Sequence, residues 1–157
     1  MTRLYGRSPR SQRCLDHRPH GHWHTNTFIA ALRHDRLEAP WMLEGAMNGQ
    51  AFLVYISEVL APTLRTGDIV ICDNLSSHKI AGIAEALQSV GASLRYLPAY
   101  SPDLNPIEMA FAKLKAIVRK HHARSFDELF KAVADASRSF PGEHCKGFFR
   151  HAKYTTN

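Results

Sequence analysis

One unbroken apolar run near the middle of the chain limits the folds that it can adopt. Residues 69–72 (Ile-Val-Ile-Cys) follow one another without a polar side chain, a pattern typical of a central strand covered on both faces. Apolar residues at helical spacing follow over 79–90 and stop at Gly91, a natural helix end. A second short strand is predicted over 94–97. This alternation of strand and helix favours a layered α/β fold.

Further patterns on both sides extend this architecture. They predict two more strands and three more helices: strands over 23–32 and 37–43, and helices beginning at Asn48, Asn105 and Ser125. Pro40 weakens the second of these strands. The resulting order is strand, strand, helix, strand, helix, strand, helix, helix. We therefore expect one α/β domain over residues 1–157, with a mixed sheet flanked by helices.

The composition favours an anionic partner. Lys and Arg number 20 against 14 Asp and Glu, and such a basic excess is typical of proteins that bind nucleic acid. A merely basic protein is the alternative. The three cysteines are far apart in sequence, which fits a reducing cytosol. No long apolar run and no secretory signal pattern are present, so no membrane span is expected.

A group of histidines near Cys14 invites a zinc interpretation, which we reject. The group consists of His17, His20, His22 and His24. Structural zinc sites use Cys and His at loop spacings, with a second pair of ligands across a turn. Here the alternating histidines lead directly into a predicted strand instead. No metal site is therefore expected in this segment.

Two carboxylates stand where chemistry is common in α/β proteins. Asp73 follows the apolar run directly, and Glu108 lies in the first turn of the helix after the next strand. Sites in open sheets lie at the carboxyl ends of strands, so neighbouring strands would bring both carboxylates into one crevice. Carboxylates shared by two Mg²⁺ ions can activate a water or a 3′-hydroxyl for attack on a phosphodiester. The alternatives are an Asp-Asn turn and a helix-capping Glu.

Two longer stretches of sequence carry a family resemblance. Residues 71–79 (Ile-Cys-Asp-Asn-Leu-Ser-Ser-His-Lys) and 97–108, which ends in Ser-Pro-Asp-Leu-Asn-Pro-Ile-Glu, strongly resemble insertion-sequence transposases of the mariner superfamily. The 34 residues between Asp73 and Glu108 match the spacing of the second and third members of that family's Asp-Asp-Glu triad. The resemblance covers essentially the whole chain.

The resemblance implies a ribonuclease H-like endonuclease domain that binds Mg²⁺ or Mn²⁺, as a two-metal site if complete. Asp73 and Glu108 would be its metal ligands. Double-stranded DNA, as terminal repeats and target, would be its partner, contacted by residues beside the site and on the following helix: Asn74, His78, Lys79, Lys113, Lys115 and Arg119. Tyr100 would help to shape the loop that delivers Glu108. A solvated helix face remains the alternative for the basic residues of that helix, as does a solvent-exposed residue at a helix start for His78.

The sequence departs from the family pattern at its start. The family's first strand and first catalytic Asp precede the segment that matches residues 1–9, and Asp16 lies in an irregular stretch to which the family pattern assigns no triad member. We therefore expect an N-terminally incomplete domain whose first strand is missing. It would form a homo-oligomer or bind an upstream transposase fragment in a bacterial cytoplasm.

Three functions stay open at this stage. The first is a transposase catalytic domain that cleaves and transfers DNA strands. The second is a catalytically inactive fragment that binds DNA or intact transposase. The third is a ribonuclease H-type nuclease outside transposition, against which the family-specific Ser-Pro-Asp-Leu-Asn-Pro-Ile-Glu string argues.

Overall fold

Four strands form two separate pairs in the computed structural model, which describes residues 6–15 and 25–154. β1 (Asn26–Leu32) pairs with β2 (Leu37–Glu44) in an antiparallel hairpin. β3 (Ile69–Cys72) pairs in parallel with β4 (Ser93–Tyr96). The predicted α/β class is confirmed, but the single mixed sheet is not what these residues form. The proposed start of the first strand, at residues 23 and 24, lies outside the described residues.

The β1–β2 hairpin forms a middle layer with apolar side chains on both faces. Ile29 and Trp41 pack on one side against the helix that follows the hairpin. Phe28 and Met42 pack on the other side against the C-terminal helices. Because successive strand residues point to opposite faces, one hairpin contributes to two hydrophobic clusters. Pro40 is accommodated within β2, where the hairpin register shifts between Ile29 and Ala31.

The two helices that pack beside β3 begin at a side-chain cap and at a glycine with positive φ. Asn48 caps α1 (Gly49–Val54), which continues as a π-helical turn over Tyr55–Leu60. The helix predicted from residue 79 begins later, as α2 (Ile83–Ser89). A short 3₁₀ turn over Ser76–His78 comes first, and Gly82 then adopts φ +93°. That left-handed conformation favours glycine and separates the turn from the helix.

Three helices complete the chain on the far side of the hairpin. They are α3 (Pro106–Lys120), α4 (Phe126–Ser137) and α5 (Gly142–His151). The predicted caps at Asn105 and Ser125 are confirmed, and the latter forms a capping box with Glu128. α5 was not predicted. It contains two glycines and mostly polar residues, so its sequence shows no clear apolar periodicity around Cys145. No helix of the described residues is long and apolar enough to cross a membrane.

In the described residues β3 is covered on one face only, as expected of a domain whose first strand is missing. Val70 and Cys72 pack against the cluster around α1 and α2. Ile69 and Ile71, on the opposite face, are 60% and 41% exposed. The physical reason is that β3 pairs only with β4, so no strand of the described residues lies on its other edge.

This difference in burial predicts unequal effects of two similar substitutions. Ile83→Ala removes a side chain that is 1% exposed and should lower the free energy of unfolding by about 2–5 kcal/mol, because it leaves a cavity. Ile69→Ala should change it by less than about 0.5 kcal/mol. Urea unfolding of both variants measures the difference. Equal losses would show that Ile69 is buried in solution.

Candidate active site

Asp73 follows β3 directly, and its carboxylate is in contact with His78. The Nδ1 atom of His78 lies 2.5 Å from Oδ1 of Asp73, and that oxygen is buried. The 3₁₀ turn Ser76–His78 folds the chain back, so that a side chain five residues ahead reaches the strand end. The contact fixes the orientation of the Asp73 carboxylate at the end of β3.

His78 is itself held from two sides. Its ring stacks on the ring of Phe52, with centroids 4.1 Å apart. Its carbonyl oxygen accepts a 2.7 Å hydrogen bond from the hydroxyl of Tyr96, at the end of β4. The side chain is only 16% exposed, so the solvent-exposed alternative for His78 does not hold. Three elements, α1, β3 and β4, therefore determine where the Asp73 carboxylate points.

Glu108 reaches the same region from the other half of the fold. Pro106 is the first residue of α3, and the side chain of Asn105 caps the helix by accepting from the backbone N–H of Ile107. Glu108 thus stands in a rigid first turn, and its side chain is exposed. Asp73 and Glu108 line one cavity of about 510 Å³. Both sequence-predicted carboxylates therefore face the same cavity.

The loop before α3 is ordered by local contacts. Tyr100 has φ +57° and is fully exposed, and a 3₁₀ turn over Pro102–Leu104 follows it. The hydroxyl of Tyr154 donates to the carbonyl of Leu104 at 3.1 Å. This bond ties the loop to the end of the chain and so supports the start of α3.

The residues expected to contact DNA fall into two groups. Asn74, Lys79, Lys115 and Arg119 are exposed. Lys113 instead donates to the carbonyl of Ser139 at 2.5 Å and lies 2.7 Å from Nδ1 of His144. Its ammonium also stands 4.6 Å from the centroid of the Phe140 ring. Partial burial lowers the pKa of Lys113. This lysine joins α3 to α5 and has little capacity left for a phosphate.

Carboxylates, and not the neighbouring thiol, are the groups here that suit a metal ion. Burial, followed by the charge of Asp73, raises the pKa of Cys72 to about 12, so its thiol stays protonated at neutral pH. Two carboxylates on rigid elements suit one Mg²⁺ ion that keeps several waters. The described residues contain no cluster of three or more His, Cys, Asp or Glu that could hold a metal.

Comparison with known proteins identifies the family of this chain. Residues 1–130 match the family model described as DDE superfamily endonuclease. The chain belongs to the DDE superfamily of endonucleases. No curated protein matches it in sequence.

Solved structures of similar fold come from Mos1 mariner transposase. The Mos1 strand transfer complex matches with TM-score 0.70 and 16% identity, over 98% of this chain and 46% of that chain. The Mos1 paired end complex with Mn matches with TM-score 0.69 and 17% identity, over 93% and 45%. The catalytic domain of Mos1 mariner transposase matches with TM-score 0.61 and 16% identity, over 83% and 74%.

These likenesses define the fold of this DDE endonuclease chain. At such low identities they show a common architecture, the ribonuclease H-like α/β fold implied by the sequence resemblance. The chain spans less than half of the Mos1 chains in the first two complexes. Sequence reasoning missed two supports of the site, Phe52 and Tyr96. Both carried only the signals of ordinary core or strand residues, since their contacts with His78 join separate elements.

The two lysines on α3 should separate stability from DNA binding. Lys113→Met removes two polar contacts and a cation–π contact, and should cost about 1–2 kcal/mol of unfolding free energy. DNA affinity should be unchanged. Lys115→Met should change the free energy of unfolding by less than about 0.5 kcal/mol. It should reduce the slope of the logarithm of the duplex DNA binding constant against the logarithm of salt concentration by about one. Urea unfolding measures the stability of each variant, and filter binding at several salt concentrations measures its DNA affinity. The reverse pattern would contradict the placement of Lys113.

Proposed function

We propose that this chain is a catalytic domain of an insertion-sequence DNA transposase, which cleaves and transfers DNA strands with Mg²⁺ or Mn²⁺. The observation that supports this function best is that Asp73 and Glu108 both line one cavity. They come from separate elements, with 34 residues between them. Asp73 directly follows β3 and Glu108 lies in the first turn of α3, so both are held by rigid elements, as metal ligands require.

The residues of this chain would hold and orient the metal. Asp73 has one oxygen engaged by His78, which leaves its second oxygen available to an ion. Glu108 would bind from the first turn of α3. A bound divalent ion supplies Lewis acidity, which activates a water or a 3′-hydroxyl and stabilises the leaving oxygen of the phosphodiester. Nδ1 of His78, in contact with the other oxygen, would hold the carboxylate in a fixed orientation toward the ion.

DNA is the expected substrate and partner. The chain carries a formal net charge of +6. The exposed Asn74 and Lys79 stand directly after Asp73 in sequence, and Lys115 and Arg119 extend along α3 from Glu108. Phosphate contacts of this kind position a duplex without reading its sequence. The Mos1 mariner paired end complex with Mn has a similar fold, which supports the choice of metal.

A catalytically inactive DNA-binding fragment is the second candidate. Of the four carboxylates that line the cavity, Glu38 and Asp68 are ion-paired with Arg33. The described residues hold no cluster of three ligands, so a second ion would lack its shell here. Such a chain would bind DNA, or intact transposase, without turnover. The two candidates share the fold and differ in whether a further ligand completes the site.

Substitution of the two carboxylates should abolish metal binding. The wild-type chain should bind Mn²⁺ with a dissociation constant on the order of millimolar, because an incomplete oxygen shell binds weakly. Asp73→Asn and Glu108→Gln should each remove this site without changing the far-ultraviolet circular dichroism spectrum. Electron paramagnetic resonance of free Mn²⁺ measures the binding. The matched control is Asp103→Asn, since Asp103 is an exposed loop carboxylate outside the cavity.

The catalytic claim needs a second readout. Within a transposase polypeptide that supplies a further carboxylate to the site, the chain should nick terminal-repeat DNA in Mn²⁺. Either carboxylate variant should lower the rate by about 100-fold or more, and Asp103→Asn should retain it. Wild-type Mn²⁺ binding by both carboxylate variants would mean that the site is misassigned. Metal binding without any nicking would favour the inactive fragment.

A further inference from the structure

The last helix presents cationic side chains to solvent. Lys146 and Arg150 lie four residues apart and so share one side of α5, and Lys153 follows just after the helix ends. All three are exposed, and they form the basic surface of α5. Within the part of the chain that the structure describes, no carboxylate forms an ion pair with any of them. A different side of the helix, with Cys145 and Phe148, packs into the core.

The basic surface ends beside the cavity that Glu108 lines, because α5 runs antiparallel to α3. Near the start of α5, Nδ1 of His144 lies 2.7 Å from the ammonium of Lys113, which is about two turns into α3. Beyond the end of α5, the hydroxyl of Tyr154 donates to a backbone carbonyl of the loop before α3. Tyr154 also lines the cavity. Its neighbour Lys153 therefore follows the helix at the end that faces Glu108.

The charge pattern of α5 differs from that of an ordinary solvated helix face. On α4, Asp127, Lys131 and Asp135 recur at spacings of four residues and are all exposed. Such alternation of sign is typical of a helix side that faces only water. By contrast, Arg150 and Lys153 have no acidic residue within four positions on either side. This end of α5 therefore presents positive charge without neighbouring carboxylates to neutralise it.

Lys153 occupies a backbone position that usually takes glycine. Its φ is +67°, and its N–H donates to the carbonyl of Arg150 at 3.1 Å. The N–H of Tyr154 donates to the carbonyl of Phe149 at 2.9 Å, and these two rings meet edge to face with centroids 5.8 Å apart. The bonds form a Schellman motif, whose left-handed residue is usually glycine because a Cβ atom there is strained. A lysine at this position points to a use for its side chain outside the fold.

We propose that the basic surface of α5 binds the sugar–phosphate backbone of duplex DNA and holds the duplex against the Glu108 side of the cavity. The choice of duplex DNA rests on the proposed function. None of the DNA contacts predicted from the sequence lies on α5, and α5 follows the residues matched by the family model.

The spacing of the three cations suits a phosphate backbone. From Lys146 to Lys153 a helix rises about 10 Å, and the phosphates of one strand recur about every 3.4 Å along the duplex axis. Each cation can therefore meet a different phosphate. Contacts of this kind fix the position and orientation of a duplex without reading its sequence.

Filter binding of a duplex of arbitrary sequence, with EDTA in place of divalent ions, tests the proposal. The readout is the slope of the logarithm of the binding constant against the logarithm of salt concentration. Its magnitude should fall by about one for Lys146→Gln, Arg150→Gln or Lys153→Gly, since each phosphate contact releases about one counterion. The matched control is Lys131→Gln on α4, which removes the same charge and should keep the wild-type slope.

Lys153 provides a second readout that a purely structural role would not give. Lys153→Gly should not lower the midpoint of urea unfolding, because glycine adopts positive φ without strain, although it should weaken DNA binding. Lys153→Arg keeps the charge and should retain the wild-type slope. Loss of affinity without loss of stability would thus assign the side chain to binding.

Three outcomes would overturn the proposal. The first is the absence of measurable duplex binding by the wild-type chain. The second is a wild-type slope in all three α5 variants, which would make this a solvated helix face. The third is an equal loss in Lys131→Gln, which would assign the effect to net charge alone. Because the assay contains no divalent ion, a failure of Mn²⁺ binding would leave its result intact. Normal Mn²⁺ binding with unchanged slopes would reject this surface and not the metal site.

Discussion

The β1–β2 hairpin buries apolar side chains on both faces. One face packs against the cluster that supports Asp73 and the other against the cluster that supports Glu108, so the hairpin fixes the position of one carboxylate relative to the other. Ile29 and Trp41 belong to the cluster that supports β3 and α2, and hence Asp73. Phe28 and Met42 belong to the cluster that supports α3, and hence Glu108. The two clusters cannot shift independently of the hairpin, because a close-packed interior has low compressibility. The Arg33–Asp68 ion pair adds a polar tie between the hairpin and β3.

Local signals in the sequence were sufficient for most elements, and the family resemblance singled out Asp73 and Glu108 as candidate ligands. Asn105 and Pro106 define the start of α3, as Ser125 and Glu128 define that of α4, because caps act within one turn of the chain. The exposure of Ile69 and Ile71 agrees with the expectation that the first strand is missing. It depends on which strand lies beside β3, and this is a property of distant chain segments.

The support of Asp73 is also non-local, and it gives His78 a more definite role than the sequence could. The ring of His78 rests on Phe52 and its carbonyl is bonded to Tyr96, so residues from α1 and β4 act on the ligand through one histidine. The same reasoning separates Lys113 from Lys115. Helical spacing placed both off the apolar stripe, but only the structure shows that the ammonium of Lys113 is engaged by α5 and the turn before it.

The central claim is that Asp73 and Glu108 share one divalent ion, and paramagnetic relaxation by Mn²⁺ tests it most directly. In a titration followed by ¹H–¹⁵N spectra of the wild-type chain, low Mn²⁺ concentrations should broaden two stretches together. One is residues 73–78 and the other is residues 107–109, since a bound ion relaxes nuclei according to their distance from it. The account is contradicted if only one stretch broadens, or if the first signals lost belong to the histidine-containing segments around residues 121 and 144.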